Sequence, residues 1–392
     1  MRVAVSGFGA VSGAGIGGTA LLSGWQKEGT NLVPGAQSSP PFNAPEMVVA
    51  ALEFDARTTL GKKGLQFLTR GTQLLLAASQ EALTGAMVDT AKESERLGLV
   101  IGTNFAGLNA IANYDWTTVS EGPSFVSAMD TPNVLANAPA SHLAIRIVAR
   151  GPNTTISTGR CASLDALGYA AYFLKEERVG IVVAGGVEET NPHVLWYFEM
   201  AAESGIRYAV PGEAAAVVVL RGKDEHRKTD QFPTLAWLGA WANTLNPAGS
   251  PESQVRDVCL EALDLAEVKS TQISLVAAGI GTPADLAPVE GMRNALCSNN
   301  RSGPPIPTFS LKSLVGETLG AAGALHVVAA VEAFRTRTLP ASCGLAGHRW
   351  PPEFLFTPQP IGFVPGPALI VDWDPLGFAS AVVLLPENDG RN

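Results

Sequence analysis

Short runs rich in valine and alanine, leucine or isoleucine recur along the chain at residues 2–6, 97–102, 180–185 and 214–220, apolar on consecutive rather than alternate positions. A strand covered on both faces reads this way, because neither of its side-chain rows meets water. Between these runs apolar residues return every three or four positions, as at 69–85 and 164–176, the spacing of a helix face. The most charged stretch, GKDEHRKTDQ at 222–231, predicts a surface crossover. After it the alternation restarts, with a strand near 234–241, a helix near 253–265, a strand near 273–279, a helix near 318–336, and closing strands at 368–372 and 379–385. The expected organisation is two similar α/β halves, residues 1–225 and 226–392.

Composition sharpens this picture. The chain has 392 residues, 46% apolar and only 16% charged, below the usual quarter, so much of it must be buried in a thick layered fold or a large subunit interface. The formal charge of −9 leaves no basic stripe for nucleic acid and disfavours direct docking of an acidic carrier protein on this surface. Cys161, Cys259, Cys297 and Cys343 are scattered without a CxxC pair, which argues against zinc and a disulfide framework and for reduced thiols in the cytoplasm. The apolar N-terminus superficially resembles a secretory signal. Its glycines at 7, 9, 13, 15, 17 and 18 make a poor helix, and a strand is the better reading. No other segment is uninterrupted and apolar for the ~20 residues a membrane span needs.

Gly7, Gly9 and Gly13 follow the first strand-like run, with Glu28 roughly where a ribose-binding acid stands in dinucleotide sites. The spacing is GxGxxxG rather than GxGxxG, and close packing and turns explain the glycines equally. Neither a cofactor nor a metal is expected.

Seven segments, in order, are similar to the β-ketoacyl synthase family of the thiolase fold. VAVSGFGAVSGAGIG resembles its opening strand and loop, GLVIGTNFAGL its VIGTGxGG strand, and ASHLAIRIVARGPNTTISTGRCASLDALGYA the stretch through its nucleophile. IVVAGGVEE and PGEAAAVVVL resemble the strands that follow, the latter being GEGAG in the family. LVAAGIGTPADLAPVE resembles VNAHGTGTxxxDxxE, and SLKSLVGETLGAAGA resembles NxKSxxGHxxGAAG. The resemblance implies a layered αβαβα fold built from two duplicated halves.

It also implies a test of the chemistry. An active ketosynthase uses a cysteine at a helix N-terminus as nucleophile and two histidines to assist decarboxylation. In an ungapped register the nucleophile position is Arg160, and the histidine positions are Ala278 and Glu317. An arginine cannot attack a thioester, alanine has no polar group, and an ionised glutamate only accepts hydrogen bonds. A one-residue slip would make Cys161 the nucleophile, giving a divergent active synthase or acyltransferase. His142, His193, His226, His326 and His348 read as structural or exposed. Lys312, Asp285 and Glu290 match the family's supporting polar network, and Thr282 one of two pantetheine-contacting threonines, the other being replaced by Ile280.

SLDALG is similar to the GLDAL that follows the substituted nucleophile in chain-length factors. This implies a non-catalytic subunit paired with an active ketosynthase in type II polyketide or polyene synthesis, meeting the acyl carrier protein mainly through that partner. Tunnel-lining candidates on the helix after GTNFAG are Leu108, Ile111, Ala112, Asp115 and Trp116, which helical spacing brings to one side. Because a cation at a helix N-terminus opposes the dipole, Arg160 is expected to pair with a carboxylate, Glu317 being the candidate.

Overall fold

The computed structural model describes residues 2–23, 32–34, 47–222, 232–297, 303–342, 345 and 350–387. Glu28, His226, Cys343, His348 and the charged crossover after Gly222 lie outside the described residues.

The main sheet takes β1 (Val3–Ser12), β2 (Leu97–Gly102), β3 (Asn153–Ile156), β4 (Ile181–Glu188) and β5 (Ala214–Arg221) from the first half. From the second it takes β6 (Ala236–Leu245), β7 (Leu275–Ala278), β8 (Ile306–Phe309), β9 (Phe354–Leu355), β10 (Ala368–Trp373) and β11 (Phe378–Pro386). Their order across the sheet is β9-β8-β7-β10-β11-β6-β1-β5-β4-β2-β3. From the β1/β6 seam outward both sides follow one plan. β1 to β5 and β5 to β4 are antiparallel, then β4 to β2 and β2 to β3 parallel. β6 to β11 and β11 to β10 are antiparallel, then β10 to β7 and β7 to β8 parallel. One connection rule used twice is the duplication that the restarting pattern predicts.

The helices that matter for the site are α1 (Arg70–Gly85), α2 (Leu108–Ser120), α3 (Ala138–Ile147), α4 (Ala162–Lys175), α5 (Pro192–Glu203), α6 (Pro251–Leu265), α7 (Leu286–Cys297) and α8 (Ala322–Thr336). Leu74 and Leu75 of α1 and Leu143 of α3 pack with Ile181 and Val217 on one outer face. Val258 of α6 and Met292 of α7 pack with Val276 and Val383 on the other. Between them Leu164 and Leu167 of α4 and Leu325 and Val328 of α8 fill the middle layer. Every residue of α8 from Ala322 to Phe334 is buried, as a helix without a polar face must be. The five layers match the expected αβαβα class.

The glycine motif is resolved by packing. A Cβ on Gly7 or Gly9 would overlap the Ala82 and Ala78 carbonyl oxygens of α1, so these glycines let β1 lie directly on the helix backbone. That close approach takes the space a dinucleotide would need, and the cofactor reading falls away. Among the described residues no helix is long and apolar enough to cross a membrane.

Candidate functional site

The turn Gly159–Cys161 delivers Arg160 into the interior just ahead of α4. Gly159 has φ +61°, and the Asp374 carboxylate lies where a side chain at 159 would go. Asp374 Oδ2 accepts the Arg160 backbone N–H at 3.1 Å. The Arg160 side chain is 1% exposed, with Nη2 2.7 Å from Glu317 Oε2 and Nη1 3.6 Å from Asp285 Oδ1. Lys312 Nζ donates to the same Glu317 oxygen at 2.9 Å, and the guanidinium lies over the Tyr208 ring, 4.7 Å from its centroid. The pairing expected between Arg160 and Glu317 is therefore present, extended by Lys312 and Asp285.

These charges sustain one another. Burial alone would lower the Arg160 pKa, but Glu317, Asp285 and Asp372 outweigh it and raise it. Burial would raise the pKa of Glu317 and Asp285, yet Arg160 and Lys312 hold both carboxyls below their usual range. A buried cage of this kind survives because each charge has an oppositely charged partner; the carboxylates add hydrogen bonds, whereas among the described residues Arg160 Nε and Nη2 have no hydrogen-bond partner and rest on the ion pairs and the Tyr208 ring. Glu317 Oε1 accepts the Leu319 N–H at 3.2 Å. Asp285 accepts the N–H groups of Gly281 and Thr282 at 2.9 and 2.8 Å and the Trp373 indole at 2.9 Å.

Cys161 points elsewhere. Its thiol is fully buried, donates to the Asp372 carbonyl at 3.4 Å, and has a pKa pushed well up by burial and by Asp165, Asp372 and Asp374. A nucleophilic cysteine needs access and a stabilised thiolate, and this one has neither. Ala278 ends β7 inside an apolar cluster with Ile280, Val289 and Val371. Glu290 stands apart from the cage, paired with Arg293 at 2.6 Å, both groups about one-third exposed. The Thr282 hydroxyl turns onto Asp285 at 3.4 Å. His326 is buried, accepts the Leu311 N–H at 3.3 Å through Nε2, and is held neutral by burial and by Lys312, its pKa falling to about 3. His142 meets Asn133 at 3.2 Å. Of the sequence candidates, then, the fold joins Arg160, Glu317, Lys312 and Asp285, touches Thr282 through Asp285, and leaves Glu290 outside.

Tyr208, Asp372 and Asp374 complete the site and were not anticipated. Their only signal is the pair of aspartates in VDWDP after a strand of apolar residues. Burial pushes Asp372 up to about 7, and its Oδ2 has no hydrogen-bond partner. A carboxyl whose folded pKa lies above its unfolded value is penalised as pH rises between the two. The penalty is absent in acid and complete above the folded value. Asp372→Asn is therefore expected to add roughly 1–3 kcal/mol of stability at pH 8 and little at pH 4, read by urea unfolding at both. An equal change at the two pH values would rule out this origin.

The five tunnel candidates lie on α2. Gly107 caps α2 in the left-handed region and starts the helix at Leu108. A cleft of about 440 Å³ lies along the face of Asn109, Asn113 and Thr117, with segment 66–70, the 125–133 loop and residues 189–191 forming its other walls. Leu108 instead packs toward Val194, Phe198 and Leu319. Ala112 is half-buried, Ile111 and Asp115 are exposed, and Trp116 is 73% exposed. None of the five lines the cleft. α2 buries none of its residues in the chain by itself, so Ile111, Asp115 and Trp116 face outward.

The sequence matches the Beta-ketoacyl synthase N-terminal domain over residues 2–226 and the C-terminal domain over residues 240–346. A Streptomyces cyaneus protein named for polyketide beta-ketoacyl synthase 1 is 30% identical, over 86% of this chain and 87% of its own. The 3-oxoacyl-[acyl-carrier-protein] synthase 2 of Vibrio harveyi is 27% identical over 88% of each. Among solved structures, the ishigamide ketosynthase/chain length factor superposes with a TM-score of 0.85 over 99% of both chains at 19% identity. The AntDE:AntF type II acyl-carrier protein and ketosynthase complex gives 0.83 over 98% of this chain and 99% of that one at 18% identity. With both domains matched in order along a fold of this architecture, the chain belongs to the β-ketoacyl synthase family.

Proposed function

We propose that this chain is a non-catalytic, chain-length-factor type subunit that pairs with an active ketosynthase in type II polyketide or polyene synthesis and shapes the channel for the growing chain. The observation that carries the reading is Arg160, buried at the position the family resemblance gives to the nucleophile and held by Glu317. A guanidinium with raised pKa is no nucleophile, and the neighbouring thiol is buried and protonated. A ketosynthase/chain length factor among the structural neighbours, and a type II acyl-carrier protein in complex with its ketosynthase, support the same reading. The partner receives the carrier protein.

The partner surface is proposed on the side of β3, the last strand of the sheet, whose free edge needs cover. α3 packs against β3 and carries Ile145, 76% exposed; on α2 Trp116 and Val119 are 73% and 84% exposed. Large exposed apolar side chains of this kind mark association surfaces. Co-expression with a ketosynthase and a carrier protein tests the proposal: this chain is expected to co-purify with the ketosynthase and to be required for product. Trp116→Ala combined with Ile145→Asp is expected to cut co-purification at least tenfold while leaving the chain's own melting temperature unchanged. Product formed equally well without the chain would refute the role.

A further inference from the structure

Segment 103–107, which leads from β2 into α2, is held by one buried carboxyl. Glu188 ends β4 and is 3% exposed. Its Oε1 accepts the Asn104 backbone amide and, at 3.1 Å, the Asn104 side-chain amide, and its Oε2 accepts the Phe105 amide at 3.2 Å. Asn104 stands where the VIGTGxGG motif has a glycine after its threonine. Its side chain clasps the turn that carries Arg160, Oδ1 accepting the Gly159 N–H and Nδ2 donating to the Gly159 carbonyl, both at 2.9 Å. The Phe105 ring lies 4.7 Å from that of Tyr197, which bonds to the Tyr208 hydroxyl beside the guanidinium. A Cβ on Gly320 would stand 2.9 Å from Glu188 Oε1, so the fold closes tightly on the carboxyl.

The charged groups around this end of β4 are committed elsewhere. Glu189 accepts the Gly71 N–H, Glu213 holds Arg70 at 2.8 Å, and Asp165 accepts from Thr158 at 2.6 Å and from Trp241 at 3.1 Å. Arg160 and Lys312 both serve Glu317. The Tyr197 and Tyr208 phenols, their pKa values raised by burial, stay protonated. Among the described residues no cation pairs with Glu188. Three N–H donors without a cation do not offset the burial of a full charge. Burial accordingly pushes Glu188 from its ordinary 4.5 up to about 7, and the neighbouring Glu189 adds to the rise. A carboxyl that binds its proton more tightly when buried favours the buried arrangement in acid and the exposed one once ionised. Opening is then independent of pH below 4.5, rises about tenfold per pH unit between the two values, and levels off above the higher.

We propose that Glu188 is a pH-sensitive latch: protonated, it stays buried and keeps segment 103–107 on the Gly159 turn; ionised, it favours opening of that contact and lets the start of α2 move away from the arginine cage. α2 is the helix offered to the partner above, so the latch bears on pairing only through that reading, whereas the latch itself belongs to the chain alone. Amide hydrogen exchange on the full chain from about pH 4 to about pH 9, divided by the intrinsic rates, tests it. Asn104 and Phe105 are expected to exchange through openings that leave Val183 and Val217 protected. Their opening constants are expected to rise by up to about 300-fold between pH 4.5 and 7 and then to level off. Glu188→Gln is expected to abolish that rise. NMR titration of the Glu188 carboxyl carbon reads the same group without a substitution, with an inflection expected at about 7. Opening constants flat with pH, a rise of equal size in Glu188→Gln, exchange of Asn104 and Phe105 only together with Val183 and Val217, or an inflection near 4.5 would each overturn the latch. Failure to pair with a ketosynthase would leave these readings unchanged and count against the chain-length reading alone.

Discussion

Replacing Arg160 with methionine is expected to cost about 3–5 kcal/mol of stability, the typical loss when one partner of a buried ion pair is removed. The reason lies in what remains. Glu317 and Asp285 are both buried and ionised, and only Lys312 would be left to balance them. The loss should depend on pH with a defined sign. Both carboxyls have folded pKa values below their unfolded ones, so the stability they gain from Arg160 is complete above the unfolded values of 4.5 and 3.8 and is lost as pH falls through the folded ones. Urea unfolding should therefore find parent and Arg160→Met far apart at pH 7 and closer near pH 3. Adding Glu317→Gln should recover roughly 1–3 kcal/mol, the coupling expected of contacting charges. Additive effects of the two substitutions would mean that the 2.7 Å contact carries no energy.

The second large effect is chemical silence. Iodoacetamide and an acyl-thioester analogue are expected to leave Cys161 unmodified in the folded protein while alkylation proceeds at Cys297, which is partly exposed. Reaction at Cys161 requires local opening, and an opening free energy of about 4 kcal/mol slows modification roughly a thousandfold. The raised thiol pKa slows it further. Peptide mass spectrometry over a time course reads both sites in one sample. Acyl capture on Cys161 at a rate near that of Cys297 would restore the active-synthase alternative.

The layered architecture was legible because its signals are local and repeated. β4 and β5 are apolar on consecutive positions, and α8 lacks a polar face. β3 escaped notice because Asn153-Thr154-Thr155-Ile156 is an edge strand, half-exposed and without the valine run that marks a central one. The Arg160–Glu317 contact was legible from electrostatics: a buried cation ahead of a helix calls for a carboxylate, and the family motif supplied its position. The aromatic ring and carboxylates that complete the cage were not, since Tyr208 and Asp372 reach it from segments far apart in sequence. The surroundings of α2 are not legible for a related reason. Apolar periodicity states that a side is shielded from water, but not whether the shield is the chain's own core or another molecule.

The Asp374 carboxylate, set under Gly159 and bonded to the Arg160 amide, has a mechanical consequence. Asp374 is also braced within its own turn, its Oδ1 accepting the Leu376 N–H at 2.9 Å and its backbone N–H bonding to the Phe378 carbonyl at 2.8 Å. The start of α4 and the β10–β11 turn are thereby stapled into one block, with no slack between a segment from early in the chain and one near its end. The opposite wall is pinned too: Tyr208 leans on the guanidinium, its hydroxyl bonds to Tyr197 at 3.0 Å, and Val210 and Gly212 exchange backbone hydrogen bonds with Glu317 at 2.7 and 2.9 Å, so the arginine chamber is clamped from both sides.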